Sequence, residues 1–321
     1  RSYLEYDNLY LIKRFSIPYS NILFYLYEEK VFILNEIIEL MNNLLSIFIP
    51  TYNRCNVLDT VLDRVISSVK EYDVCVQVYD NCSLDKTENI VCAKQKLYPY
   101  IFYCKNETNI GLDRNMLNVL NKQVSKYTLM LGDDDFLVDD FYKKIESYLK
   151  QCFDFIVLSV DSTFKTTVYV EKLSAFSFLW DKMPYGTVII RNGLINRCDV
   201  EKYIGTSHAY SAIPWESMLS SNAIGKCLFY SDYILVELGE IEKTWKSNAI
   251  DIFMYQIPLW FSILPEQYIM KNKIYRGYMR NLFSLRNIWS LYRRYNFKSL
   301  SSMRFLSNIN KFKFVLISRL Q

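Results

Sequence analysis

Three adjacent carboxylates, Asp133-Asp134-Asp135, follow an apolar run ending at Leu131 and a glycine, Gly132. Like charges packed this closely repel unless a cation sits among them. Oxygen-only ligands suit Mg²⁺ or Mn²⁺, ions that take one or two carboxylates together with substrate phosphates. The competing reading is a solvated turn or helix start, where Asp is favoured. Three further polar segments precede it. Pro50-Thr51-Tyr52-Asn53-Arg54 offers Arg54 as a phosphate clamp and Thr51 and Tyr52 as a nucleotide lining, although Pro and Asn are also ordinary turn residues. Asp80-Asn81-Cys82-Ser83-Leu84-Asp85 places a carboxylate where it can accept from a base N–H or a ribose hydroxyl; Ser83 reads equally as a helix N-cap. In Asn109-Ile110-Gly111-Leu112-Asp113-Arg114-Asn115, Gly111 permits close backbone approach and Arg114 can pair with a diphosphate, or the segment is a helix start with exposed charges.

Each of these segments follows an apolar run of strand length. Runs at 44–49 (ending at Pro50), 74–80, 101–104, 127–131 and 153–160 read as strands, and helical periods cover 57–69, 85–96, 112–124 and roughly 139–150. Such alternation implies βαβ units and a mostly parallel central sheet flanked by helices, with ligands at the carboxyl ends of the strands. All four polar segments fall there. Beyond 160, residues 186–191 and 226–238 look like strands and 214–224 like a helix opened by Pro214 in its first turn. From 274 onward, apolar and arginine positions interleave as in basic amphipathic helices.

Taken as a set and in order, IPTYNR, the Val78–Thr87 segment, NIGLDRN and LGDDD resemble the family-2 glycosyltransferases of the GT-A fold, and the LGDDD form is similar to the abequosyltransferase-like branch of bacterial surface polysaccharide assembly. The resemblance covers about 44–150 well and 186–240 loosely. It implies a nucleotide-diphosphate sugar donor and a divalent cation, Mn²⁺ or Mg²⁺. By position it implies that Pro50, Thr51, Tyr52 and Arg54 line the nucleotide. Asp80, with Asn81, contacts the base, and Gly111 and Arg114 lie beside it or the diphosphate. Gly132 stands where the family's acidic motif has its first Asp. The metal role then falls on Asp134, with Asp133 on ribose or metal and Asp135 next to the sugar. The family inverts configuration through a carboxylate base in the second half. Glu216, in Pro214-Trp215-Glu216, is the first candidate, and Asp199 and His208 are the alternatives on the acceptor side. Trp180, Trp215 and Trp260 either stack on a sugar or fill the core.

The 321 residues, 51% apolar and 22% charged, exclude a disordered chain, and the eight Cys contain no CxxC pair, which excludes an ordinary zinc site. The Cys read as buried reduced thiols of a cytosolic protein. No run of 18 uninterrupted apolar residues marks a membrane span, and the N-terminus lacks the pattern of a secretory signal. Residues 271–321 hold twelve Lys/Arg and no Asp or Glu. This basic tail suits an anionic membrane surface better than nucleic acid, whose motifs are missing, or it is a solvated helical face. The expected organisation is an N-terminal extension over 1–40, with Met41 reading as a natural start, a GT-A domain over 41–240 and a helical basic region over 241–321. The expected activity is inverting transfer of a sugar onto a growing, lipid-linked bacterial surface glycan, at the inner face of the cell membrane. The alternatives are a degenerate nucleotide-sugar or glycan binding protein and a nucleotidyltransferase. The latter needs a Gly-rich, Lys-containing phosphate loop that IPTYNR lacks.

Overall fold

The computed structural model describes residues 44–121, 124–161, 163–183, 186–195, 198–220, 226–239, 252–268, 271–282 and 284. The expected extension over 1–40 and most of the basic tail lie outside the described residues.

The first half follows the alternation in the sequence: β1 (Leu45–Thr51), α1 (Cys55–Val69), β2 (Cys75–Asp80), α2 (Thr87–Leu97), β3 (Ile101–Lys105), α3 (Leu112–Leu117), β4 (Tyr127–Met130), β5 (Phe136–Leu137), α4 (Phe141–Leu149) and β6 (Phe155–Leu158). The second half adds β7 (Thr167–Tyr169), α5 (Lys172–Leu179), β8 (Val188–Arg191), α6 (Asn192–Ile195), α7 (Ala209–Ser220), β9 (Cys227–Tyr230), β10 (Val236–Glu237), α8 (Ile257–Ile263) and α9 (Lys271–Leu282). The main sheet runs β3-β2-β1-β4-β8-β6-β9-β7, and β5 pairs with β10 in a small second sheet. Neighbours β3, β2, β1 and β4 are parallel, as are β6 and β9, whereas β8 runs antiparallel between β4 and β6. The carboxyl ends of β1, β2, β3, β4 and β6 therefore share one edge with the start of β8.

Both faces of the sheet are buried, which is why the strands read as continuous apolar runs. Along β1, Leu45, Ile47 and Ile49 pack with α1 and α4, while Phe48 joins the opposite core with α5, α7 and α8. The strand continues through Pro50 rather than ending there. Phe48 accepts from the Leu131 N–H, so Pro50, two residues on, turns its missing N–H toward β4. The β1–β4 register ends at Phe48–Met130, so no ladder bond is lost, and the strands diverge into a crevice.

Several elements differ from the sequence-based expectation. The helix expected over 112–124 stops at Leu117 and tightens into a 3₁₀ turn over 118–121. The helix expected to open at Pro214 begins at Ala209, leaving Pro214 in its interior. Its start is set by an external carboxylate described below, and Pro214 brings no backbone N–H to its interior. The run 226–238 divides into β9 and β10. β7 and α5 carry no clear periodic signal in the sequence. All eight thiols are free, but only Cys75 and Cys227 are buried; Cys92, Cys104 and Cys152 are exposed. No helix among the described residues is long and apolar enough to cross a membrane.

Candidate active site

The crevice between the ends of β1 and β4 gathers the first and last polar segments. Asp133 Oδ2 accepts from Thr51 Oγ1 at 2.9 Å, and Asp133 also accepts from the Tyr52 backbone N–H. Arg54 Nη1 lies 3.1 Å from Asp133 Oδ1 and 3.0 Å from Asp134 Oδ2. One guanidinium thus serves two carboxylates, and the cluster retains an excess negative charge. Burial pushes the Asp133 carboxyl up to about 6, against the opposing pull of Arg54 and Thr51. Burial also works against the Arg54 charge, but the two carboxylates outweigh it and hold the guanidinium above its ordinary value.

Asp135 turns the other way. It is buried and accepts from the Gly239 N–H at 3.2 Å. Three of the chain's eight glycines form its cradle. A Cβ on Gly132 or Gly186 would collide with Asp135 Oδ2, and one on Gly239 would collide with the Asp134 carbonyl. Gly186 adds a positive φ of 91°, which an L side chain adopts at a cost. The carboxylate expected beside the sugar is therefore part of what shapes the loop.

Asp80 is wholly buried: Oδ1 accepts from the Ser83 N–H at 2.7 Å and Oδ2 from the Tyr103 hydroxyl at 2.6 Å. Ser83 does not cap α2; its hydroxyl accepts from the Asn53 N–H, which ties the β1 and β2 loops together. Asn81 accepts from Asn106 and from the Ile110 N–H, and donates to Asn109. A lattice of amides thereby holds the loop around Gly111, whose φ is 85°. Arg114 points outward and lies 3.5 Å from Glu201, away from the acidic loop. Non-glycine residues with positive φ, Asn53, Cys82 and Ser207, sit on three loops of this edge, as backbone strain often does at working sites.

Asp113 is the residue that sequence reasoning missed. It is buried, with Oδ2 accepting from the N–H groups of Gly205 at 2.8 Å and Ser207 at 3.0 Å, and Oδ1 from Ala209 at 3.3 Å. It caps α7 from more than ninety residues away. The one available signal was its place beside a positive-φ glycine, which reads as an exposed helix start. The capped turn carries His208, whose Nδ1 lies 2.8 Å from the Thr206 carbonyl. Burial lowers the imidazole pKa, with the Thr206 contact and Asp113 opposing.

His208 faces a cavity of about 770 Å³. Asp161 beyond β6, Trp180 and Met183 before β8, and Trp260 of α8 also line it; no residue of 50–54 or 132–135 does. Glu216 is not in its wall: it accepts from the Tyr203 hydroxyl at 2.8 Å and pairs with Lys202 at 2.9 Å. Asp199 is exposed beside the same lysine at 3.6 Å. The structure thus brings Thr51, Arg54, Asp133 and Asp134 together, sets His208 on the cavity and separates both from Arg114, Glu216 and Asp199. Trp215 is core, wholly buried against Phe155 and Phe176.

The model of the family described as "Glycosyl transferase family 2" matches residues 46–207, half of the chain. The chain belongs to glycosyl transferase family 2. The match takes in the acidic loop, the amide lattice and the Asp113-capped turn. Among curated members of the family, the chain is 33% identical over 108 residues to abequosyltransferase RfbV of Salmonella typhimurium. It is 30% identical over 108 residues to the uncharacterized glycosyltransferase MG025 of Mycoplasma genitalium. These alignments span 33% of this chain and only 32% and 36% of the relatives, about a third of each length. Among solved structures, S. aureus TarS 1-349 superposes with a TM-score of 0.58 over 86% of this chain and 89% of that one, at 16% identity. The same protein in complex with UDP-GlcNAc superposes with a TM-score of 0.56 over 85% and 79%, at 17% identity. The likeness establishes the GT-A fold.

Among the described residues no three His, Cys, Asp or Glu side chains converge on one point. Asp133 and Asp134, overcharged relative to Arg54, nonetheless fit a cation that takes one or two carboxylates and completes its shell from a diphosphate. Asp134 is the more accessible partner of that pair, because Asp133 is already held by Thr51, Tyr52 and Arg54.

Proposed function

We propose that the chain is an inverting transferase that moves a sugar from a nucleotide-diphosphate sugar to a hydroxyl of a growing bacterial surface glycan. The observation that carries this reading is the Thr51–Asp133–Arg54–Asp134 cluster at the ends of β1 and β4. The abequosyltransferase relative and the TarS complex with UDP-GlcNAc support the donor and acceptor classes. Asp134, with Asp133, would hold Mn²⁺ or Mg²⁺, whose charge offsets that of the leaving diphosphate. Arg54, which pairs with both carboxylates, would be the group at hand for a phosphate oxygen of the diphosphate. Asp80 and Asn81 shape the loop that receives the base, and Pro50 and Gly111 open the backbone beside it. Asp135, fixed in its glycine cradle, holds the acidic loop in register.

The acceptor proton goes to a group on the cavity wall. Of the three candidates raised by the sequence, only His208 stands there. Nδ1 engages the Thr206 carbonyl, so in the neutral ring Nε2 is the basic nitrogen, and burial keeps the ring neutral at pH 7. The hydroxyl proton moves to Nε2, the oxygen bonds the anomeric carbon, and the electron pair of the breaking C–O bond leaves with the diphosphate. Lipid linkage of the acceptor, and a place on the inner face of the membrane, are supported by the twelve cationic residues of 271–321.

A thermal-shift series of nucleotide diphosphates and their sugars, with and without Mn²⁺, tests the reading. A Mn²⁺-dependent rise for one nucleotide, lost in Asp134→Ala at an unchanged melting temperature without ligand, is the expected result. Wild-type donor affinity in Asp134→Ala overturns the metal assignment. No shift with any nucleotide makes the chain a glycan-binding relative without turnover.

A further inference from the structure

The main sheet ends at β7, whose outer side has no strand against it among the described residues. Which backbone groups face that side follows from the neighbouring ladder. The Lys226 carbonyl accepts from the Asp154 N–H and the Tyr230 carbonyl from the Ser159 N–H, so the even-numbered residues of β9 turn to β6. The odd-numbered ones turn to β7, as does the Ser231 N–H, which donates to Thr166 Oγ1. Thr167 and Tyr169, opposite Phe229 and Cys227, therefore spend their backbone groups on β9. Val168 turns its N–H and C=O outward, and the same alternation carries those of Thr166 and Val170 outward with it.

The side chains at this edge are β-branched and open to solvent. Val168 is 50% exposed and Val170 52%, on the face of the sheet that Leu228 shares. An edge with apolar side chains and unpaired backbone groups is a template for another strand. Charge decides which strand. Lys165 is exposed, and no ion pair holds it among the described residues. Glu171 keeps an extended backbone, with φ −118° and ψ 125°, and accepts from the Leu173 N–H at 2.7 Å and the Ser174 N–H at 2.6 Å. These bonds fix its carboxylate at the far end of the strand. An antiparallel partner of the same sequence, centred on Val168, sets Val168 against Val168, Thr166 against Val170 and Lys165 against Glu171. Centred on Thr167 or Tyr169, the pairing sets neither charge against its opposite. The backbone groups fit all three registers, so the charges choose among them.

We propose that β7 pairs with β7 of a second copy of this chain about a two-fold axis at Val168, joining the two sheets into one. The Val168 N–H of each copy donates to the Val168 carbonyl of the other, and Thr166 and Val170 exchange bonds on either side. The two exposed Lys165–Glu171 pairs add little affinity and set the register. The axis is perpendicular to the sheet, so the ligand edges of the two copies face opposite ways. The pairing is independent of the transferase reading above.

Sedimentation velocity of the full chain between about 1 and 200 µM tests it. A reversible dimer is expected. Val168→Pro, which suits an edge whose N–H faces solvent, abolishes it. Lys165→Glu alone and Glu171→Lys alone each weaken it about tenfold, because like charges then stand opposite. An equimolar mixture of those two variants dimerises as the wild type does, since both pairs are again of opposite sign. Melts at the lowest concentration confirm that each variant folds, and the mixture decides the matter if Val168→Pro does not fold. A wild type that stays monomeric throughout overturns the proposal. So does a dimer that persists in folded Val168→Pro, as a contact through the basic residues of 271–321 would, or a mixture no tighter than its components.

Discussion

At the scale of single residues, the acidic loop depends on what is missing. The crowding of Asp135 by Gly132 and Gly186, and of the Asp134 carbonyl by Gly239, makes these glycines unequal to others in the chain. Gly186→Ala and Gly239→Ala are expected to destabilise the fold by about 2 kcal/mol or more, whereas Gly193→Ala, with open space around it in a short helix, stays within about 0.5 kcal/mol. Urea unfolding of the three variants decides this, and equal midpoints would remove the cradle. His208 belongs to the same scale. Its folded pKa lies below the ordinary 6.5, so the unfolded chain takes up the proton first as pH falls. Its contribution is intact above about pH 6.5 and is lost as pH drops toward the folded value. Asp113, the acidic group facing the ring, limits that loss. The urea midpoint of His208→Gln should therefore fall less between pH 7.5 and 5.5 than that of the wild type. A steeper fall in the variant would contradict the buried neutral ring.

At the scale of elements, α7 owes its position to a carboxylate on α3. Three backbone N–H groups ahead of and at its first turn converge on Asp113. An ordinary N-cap is worth about 1 kcal/mol, and this one also leaves buried donors behind when removed. Asp113→Ala is expected to cost about 3 kcal/mol and Asp113→Asn, which retains one acceptor, about half of that. Differential scanning calorimetry reads both, and a loss under about 1 kcal/mol in Asp113→Ala would show that α7 is set by its packing alone. The turn also holds His208, so Asp113→Asn should lower transfer more than it lowers donor affinity.

At the scale of the whole molecule, the C-terminal region divides between a packed helix and the cationic sequence that follows it. α9 packs on the body through Lys271, Tyr275 and Tyr278, whereas eight of the twelve cationic residues of 271–321 lie beyond Ser284. Removal of 285–321 is expected to leave the melting temperature within a few degrees and to release the chain from phosphatidylserine vesicles, at about 1 kcal/mol per cationic residue near the surface. Removal from 271 onward should also lower the melting temperature and open the cavity that Tyr278 lines. Sedimentation with vesicles that is unchanged by the shorter truncation would remove the membrane reading.

Local chemistry was legible in the sequence. Apolar runs ending in polar clusters located β1, β2, β3 and β4 and their ligand edge, because strand periodicity and strand-end polarity are properties of consecutive residues. The pairing of Thr51 and Arg54 with Asp133 was implicit in that shared edge. What depended on distant residues was not. Asp113 looked like surface charge because its partners lie beyond residue 200. The burial of Asp135, expected beside the sugar, was not visible because two of the glycines around it stand at 186 and 239. Glu216 was placed by chain position near the acceptor, but its face of α7 turns to Tyr203 and Lys202. Sequence alone determined the alternation, the sheet edge and the polar segments along it, since each is written in short-range pattern. Only the tertiary structure decided which carboxylates face the crevice, what caps α7 and which aromatic residues enclose a cavity, since those follow from packing between segments far apart in the chain.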